Sequence, residues 1–209
     1  GALLGSAVVL AILWAVSRRY AHAVTLLVFG LMLGYVVGAL VTVLQVEATE
    51  EALQAFVFWG MGSFSRAPGP WAWGALGLAV AGGLWARRQA KSLDAWTLGP
   101  LTASSMGVSE PGLRTGIVLW TGAITAVVTA AAGPVAFVGV ATPHLVRMVQ
   151  RGRSHRAMVP PVMGAGASLA LLADGLVRWS GGAWPLNAVL SILAGPLLIY
   201  VLLRKTWEP

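Results

Sequence analysis

The chain has 209 residues, 57% of them hydrophobic and 10% charged, with a mean hydropathy of +0.79. Soluble domains carry about 25% charged residues, so this composition predicts an integral membrane protein. The net charge of +7 does not point to nucleic acid, because the basic residues form short clusters between apolar runs rather than one basic face with aromatic or polar helpers.

A spanning helix takes about 20 apolar residues, with a range of about 17 to 25. Seven runs meet or approach that length: 1–16, 22–46, 71–86, 116–132, 134–149, 159–177 and 185–203. The first is not a secretory signal, because Arg18 and Arg19 follow the apolar run instead of preceding it. The second carries Gly30, Gly34 and Gly38 at four-residue spacing, which places them on one helix face and permits close backbone approach. Thr42 and Gln45 continue that helix as polar positions. Residues 50–64 open with Glu50 and Glu51 and carry Phe56, Phe58, Trp59 and Phe64, which reads as an interfacial or re-entrant helix. Ten tryptophans against three tyrosines suit anchoring at headgroup level.

The connection 87–115 is long for a membrane protein of this size. Within it Leu98 to Val108 reads as a short helix ended by Gly107. From the residues alone, a binding loop and a helical linker lying on the membrane both remain open. Next comes 133–147, where Gly133, Pro134, Phe137, Gly139, Pro143, His144 and Arg147 interrupt an apolar stretch. A bilayer tolerates such a broken backbone only where neighbouring protein satisfies the freed groups. Pro143 is expected to kink its helix. His144 has no second histidine nearby and no acid within a turn, so packing explains it better than catalysis or metal binding. Asp174 is the one acid well inside a run, and Arg178 follows it by four residues, a spacing suited to an ion pair.

Placing the segment after the first run inside gathers Arg18, Arg19, Arg87, Arg88, Lys91, Arg114, Arg147, Arg151, Arg153, Arg156, Arg204 and Lys205 there, twelve of the fourteen basic residues. The positive-inside rule then gives a cytoplasmic C-terminus. Seven runs ending inside start outside, and Gly1 opens directly in apolar sequence, so a longer protein with further N-terminal helices is expected. There are no cysteines, which excludes disulfides and thiolate chemistry.

The run Gly133-Pro134 through Arg147 closely resembles the G-P-x-x-F-V-G-x-x-x-P-H-x-x-R signature of permeases of iron-siderophore, haem and cobalamin ABC importers. Residues 53–63 are similar to that family's L-Q-x-x-x-F-W-x-M-G-S, and Asp174 and Arg178 fit its A-D-x-x-x-R. The resemblance covers essentially the whole chain. It implies an all-α polytopic bundle of the type II importer permease fold, with seven of ten helices present as a single domain. It also implies a transport subunit in the bacterial inner membrane rather than an enzyme, with no cofactor of its own. ATP and Mg would belong to separate cytoplasmic ATPases, consistent with the lack of a Walker A motif.

The implied partners are those ATPases, a periplasmic or lipid-anchored substrate-binding protein, a second permease copy or paralogue, and membrane lipid. By position in the family pattern, Leu98, Gly99, Thr102, Ala103, Ser105, Met106, Gly107 and Val108 would form the coupling helix seated in the ATPase. Pro100, Leu101 and Ser104 depart from the acids and arginine usual there. Gly34, Gly38, Thr42 and Gln45 would line the path, and Arg66 and Arg178 would dock the binding protein. In the last run Pro185 and Pro196 fit the closing pattern, whereas Trp184 and Asn187 replace its glutamate and glycine. An ion-coupled secondary transporter using Asp174 is the alternative. An intramembrane enzyme lacks both a G-x-S-G motif and a pair of membrane aspartates.

Overall fold

Runs of small and branched apolar residues, broken by glycine, proline and basic clusters, produce helices in the computed structural model of the chain. It describes residues 2–19, 23–67, 69–150 and 154–205. Gly1, His22, Arg151 and Arg153 lie outside the described residues, as do the side chains of Pro100, Arg204 and Lys205. The helices are α1 (Ala2–Arg19), α2 (Ala23–Val46), α3 (Glu50–Gly60), α4 (Gly69–Arg88), α5 (Ala90–Thr97), α6 (Pro100–Ser105), α7 (Glu110–Ala132), α8 (Val138–Val149), α9 (His155–Trp179) and α10 (Leu186–Lys205). No strand occurs among the described residues.

Three helices combine the length and apolarity of a membrane crossing: Val24–Val46, Glu110–Ala132 and His155–Trp179. Helices α1, α4 and α10, with 18, 20 and 20 residues, are about 27 to 30 Å long at 1.5 Å per residue. The run 134–149 departs from the expected spanning helix. Its helix α8 has 12 residues, about 18 Å, and residues 133–137 are extended or turned. Gly133 and Phe137 adopt positive φ values of 79° and 68°, so helix cannot propagate back from Val138 into α7. This segment is a half-helix preceded by extended chain, not a continuous span.

Helix α7 packs along α1 and α4, α9 packs against α4, α8 and α10, and α5 and α6 form a small module against α9 and α7. Glycines make the close approaches. A Cβ on Gly82 would meet Ile124 at 2.9 Å and one on Gly83 would meet the Met163 sulfur at 2.7 Å, while Gly116 and Gly122 receive Trp85 and Leu10. These contacts drive association where lipid removes any hydrophobic gain between helices. The glycines of α2 behave differently. A Cβ at Gly30, Gly34 or Gly38 would meet nothing within 4 Å, and α2 touches chiefly α1. A core of Ala173, Leu186, Val189 and Leu190, flanked by Val135, Val138 and Leu176, joins α9, α10 and the start of α8.

Helix direction gathers the basic clusters at one end of the bundle. The Arg114 guanidinium at the start of α7 donates to the Ser17 carbonyl at the end of α1 and pairs with Glu110. The end of α4 meets the start of α9 through α5.

Candidate functional site

Two local arrangements stand out, one at each end of the bundle. At the basic end, the segment after α4 forms two short helices, α5 and, within the expected 98–108 stretch, α6. They are divided at Gly99, whose φ is 109°. The ending at Gly107 is as expected. Its φ is 78°, its N–H donates to Ser104 O, and Val108 N–H reaches back to Ala103 O at 3.0 Å. This closure satisfies the last carbonyls of α6.

The faces of α6 divide its residues. Leu98, Leu101 and Met106 are 67%, 87% and 62% exposed, and Ala103 is 1% exposed. Ala103 therefore belongs to the inner seat of the helix, against α5 and α7. Its side chain lies off the outward face of the helix. Thr102 and Ser105 face outward, with the Ser105 hydroxyl turned back to Thr102 O. A cavity of about 410 Å³ lies behind the module, between α5, the Met106–Ser109 turn and the first turns of α7.

The module is tied to the bundle by Asp94. Its Oδ1 accepts from the His155 backbone N–H at 2.9 Å and from the His155 ring Nδ1–H at 2.5 Å. Partial burial pushes the Asp94 carboxyl up. The His155 amide, ring N–H and ring charge outweigh that and hold it below the ordinary carboxylate range. Asp94 thus links α5 to the first turn of α9.

At the opposite end three chain segments meet around Asn187. Its Nδ2 donates to Pro134 O at 2.7 Å and Gly60 O at 3.1 Å, and its Oδ1 accepts from Ala136 N–H at 3.2 Å. Its backbone N–H donates to Met61 O, and Ser63 N–H donates to Ala132 O at 2.8 Å. These bonds satisfy the extended backbone before α8, which a membrane setting requires. Gly133 is needed at the crossing, because a Cβ there would press on the Trp59 carbonyl and lie 3.2 Å from Gly62 Cα. In the sequence Asn187 stands only as a departure from the family glycine. Its signal was a lone amide side chain in an apolar run.

The remaining candidate residues make local contacts or lie exposed. Pro143 lies inside α8, which runs unbroken to Val149, with Gly139 one turn before it. The His144 ring Nδ1–H donates to Val140 O at 2.7 Å, in its own helix. Arg147 is exposed at the basic end. Gly34 and Gly38 lie on the open face of α2, where the Thr42 hydroxyl donates to Gly38 O at 3.0 Å and Gln45 is half-exposed. At the end opposite the basic clusters, Arg178 Nε donates to Asp174 Oδ2 at 2.6 Å. The arginine side chain is 66% exposed and that of its acid 17%. Arg66 folds back onto Phe58 O at 3.2 Å. The two candidate docking arginines are held separately, each by its own local partner.

This architecture is shared with known proteins. Residues 1–204 match the FecCD transport family. The chain is 31% identical over 205 residues to the vitamin B12 import system permease protein BtuC of Escherichia coli O157:H7, covering 97% of this chain and 62% of that protein. It is 32% identical to the corresponding protein of Photorhabdus laumondii, covering 100% and 63%. It is 29% identical to the hemin transport system permease protein HmuU of Yersinia pestis, covering 98% and 62%. The chain therefore spans a little under two thirds of the length of these relatives. A solved inward-facing structure of an ABC transporter of the metal-chelate type superposes with a TM-score of 0.85 at 27% identity, covering 93% of this chain and 63% of that one. The protein is a multi-pass, all-α membrane chain with the type II importer permease fold, and it belongs to the FecCD transport family.

Proposed function

We propose that this chain is the permease part of an ABC importer for a bulky metal-chelate cargo, of the iron-siderophore, haem or cobalamin kind. The observation that carries the reading is the α5–α6 module. It is a pair of short helices with Leu98, Leu101 and Met106 presented outward and Ala103 buried, linked to α9 through Asp94 and His155. Such a module suits the groove of a separate cytoplasmic ATPase that holds ATP and Mg. ATP then favours whichever arrangement of the ATPase pair it binds more tightly, and the tether conveys that preference to α9. The chain contributes no bond-making chemistry.

The remaining parts support the same assignment. The open glycine face of α2 suits a second permease copy or paralogue across the path, with Gly34, Gly38, Thr42 and Gln45 along it. The clustering of cations at the α5–α6 end supports a cytoplasmic position for that end and for the C-terminus, in a bacterial inner membrane. The exposed Arg178, held by Asp174, suits an acidic patch on a substrate-binding protein, and Arg66 is the second docking candidate.

The test is purification of the full-length protein from its native membrane in mild detergent, with identification of co-purifying chains. A stoichiometric soluble ATPase is expected. Intact protein that repeatedly comes free of one overturns the reading and favours an ion-coupled carrier, with Asp174 the first residue to substitute.

A further inference from the structure

The end of α4, the start of α5 and the start of α9 enclose a cavity of about 630 Å³, lined in part by Arg87, Arg88, Lys91, Arg156 and Ser154. That volume lies within the range of about 300–1,000 Å³ typical of small-ligand sites. All four cations are exposed, and among the described residues none has an acidic partner. The one acid in the lining, Asp94, is engaged by His155. The N-terminus of α9, a helix of 25 residues, adds positive potential. The cavity is therefore built for an anion.

Its apolar wall indicates where that anion comes from. Leu84 lines the cavity and stands one turn before Arg87 and Arg88. Trp73, Leu76, Val80 and Leu84 recur at helical spacing along α4, exposed by 75%, 53%, 46% and 51%. They form a continuous apolar ridge that leads up to the cations. A soluble anion has no use for such a ridge, whereas an acyl chain lies along it while its phosphate sits among the arginines and lysine. None of Leu98, Leu101 and Met106, the outward residues of the proposed ATPase seat, lines this cavity.

We infer that this cavity holds the headgroup of an anionic phospholipid from the leaflet at the basic end, with an acyl chain along α4. The inference rests on the multi-pass membrane character of the chain, and its test uses neither transport nor ATPase activity. The full-length protein, stripped of lipid in mild detergent, is titrated with phosphatidylglycerol or phosphatidylcholine and read by native mass spectrometry. Each cation beside an anionic lipid is worth about fivefold. The triple variant Arg88→Gln, Lys91→Gln, Arg156→Gln should therefore bind phosphatidylglycerol roughly a hundredfold more weakly, with phosphatidylcholine binding unchanged. Lys91→Gln alone, with a loss of about fivefold, keeps the test open if the triple variant unfolds. Equal phosphatidylglycerol affinity in variant and parent overturns the inference. So does displacement of the lipid by millimolar inorganic phosphate, which marks a soluble-anion site. Loss of a protein partner with lipid binding intact assigns the cavity to that partner instead.

Discussion

Replacing Asn187 by alanine should unfasten the junction that lets the chain cross from α7 to α8 without helical hydrogen bonds. The truncation removes two donated bonds, to Pro134 O and Gly60 O, and one accepted bond, from Ala136 N–H. Leaving a buried polar group unpaired costs about 1–3 kcal/mol. Ala136 is exposed and Pro134 and Gly60 are half-buried, so all three groups count toward the low end of that range. The sum is about 3–5 kcal/mol, a large share of the roughly 5–15 kcal/mol that holds a typical domain together. For a chain of this size that is a fall in melting temperature of roughly 6–20 °C. Intrinsic fluorescence of the full-length protein in mild detergent reads it, since Trp59 sits at the junction. Ser191→Ala, which loses only a bond to Asn187 O one turn further on, is the control and should cost about 1 kcal/mol. A melting temperature for Asn187→Ala equal to that of the control would refute the role given to this amide.

Gly133→Ala combines a positive φ with a methyl group driven against the Trp59 carbonyl. It should destabilise by at least about 2 kcal/mol and lower the yield of folded protein in membranes, as measured by detergent-extractable monodisperse material. Gly34→Ala, with nothing near its Cβ, should leave that yield unchanged. The Asp94–His155 tether has a defined pH sense. A carboxyl held below its ordinary value adds stability above about pH 4, and that stability is lost as pH falls through the lowered value. With the Asp94 side chain 39% exposed, solvent screening keeps the contribution below about 1 kcal/mol. Thermal melts between pH 6 and 3 should lose this increment in the parent and not in Asp94→Asn; superimposable acid limbs would remove the tether from the account. Arg178→Glu should weaken binding of the substrate-binding protein in a surface-binding assay while folding is retained; unchanged affinity would return Arg178 to a purely local ion pair with Asp174.

Most of the helices were legible in the sequence because a continuous apolar run in lipid has few alternatives to helix. Their ends were less so. Helix α7 begins at Glu110, six residues before the apolar run at Gly116, because Pro111 suits a first turn and Glu110 pairs with Arg114. Helix α9 likewise extends back to His155 through Pro160 and Pro161. The run from Pro134 read as a span on apolarity alone, and the backbone geometry at Gly133 and Phe137 decided otherwise. The coupling segment was legible as a helix with a glycine stop. That Ala103 faces inward depends on where α5 and α7 lie, which no local pattern encodes. For the same reason the glycine stripe of α2 was visible as a face but not as an unpartnered one, while Gly82, Gly83, Gly116 and Gly122, which do seat neighbouring side chains, have no regular spacing to betray them. Asn187 shows the limit most clearly, since its partners lie 51 to 127 residues away along the chain.

The outward face of α6 is the proposed seat of a separate ATPase. Leu101→Glu tests it directly, because Leu101 is 87% exposed and its substitution leaves the buried side of the helix intact. The measurement is the ATPase-to-permease ratio after purification of the full-length protein in mild detergent, parent against variant. A large loss of bound ATPase is expected, with unchanged permease yield and melting temperature. An unchanged ratio would contradict it.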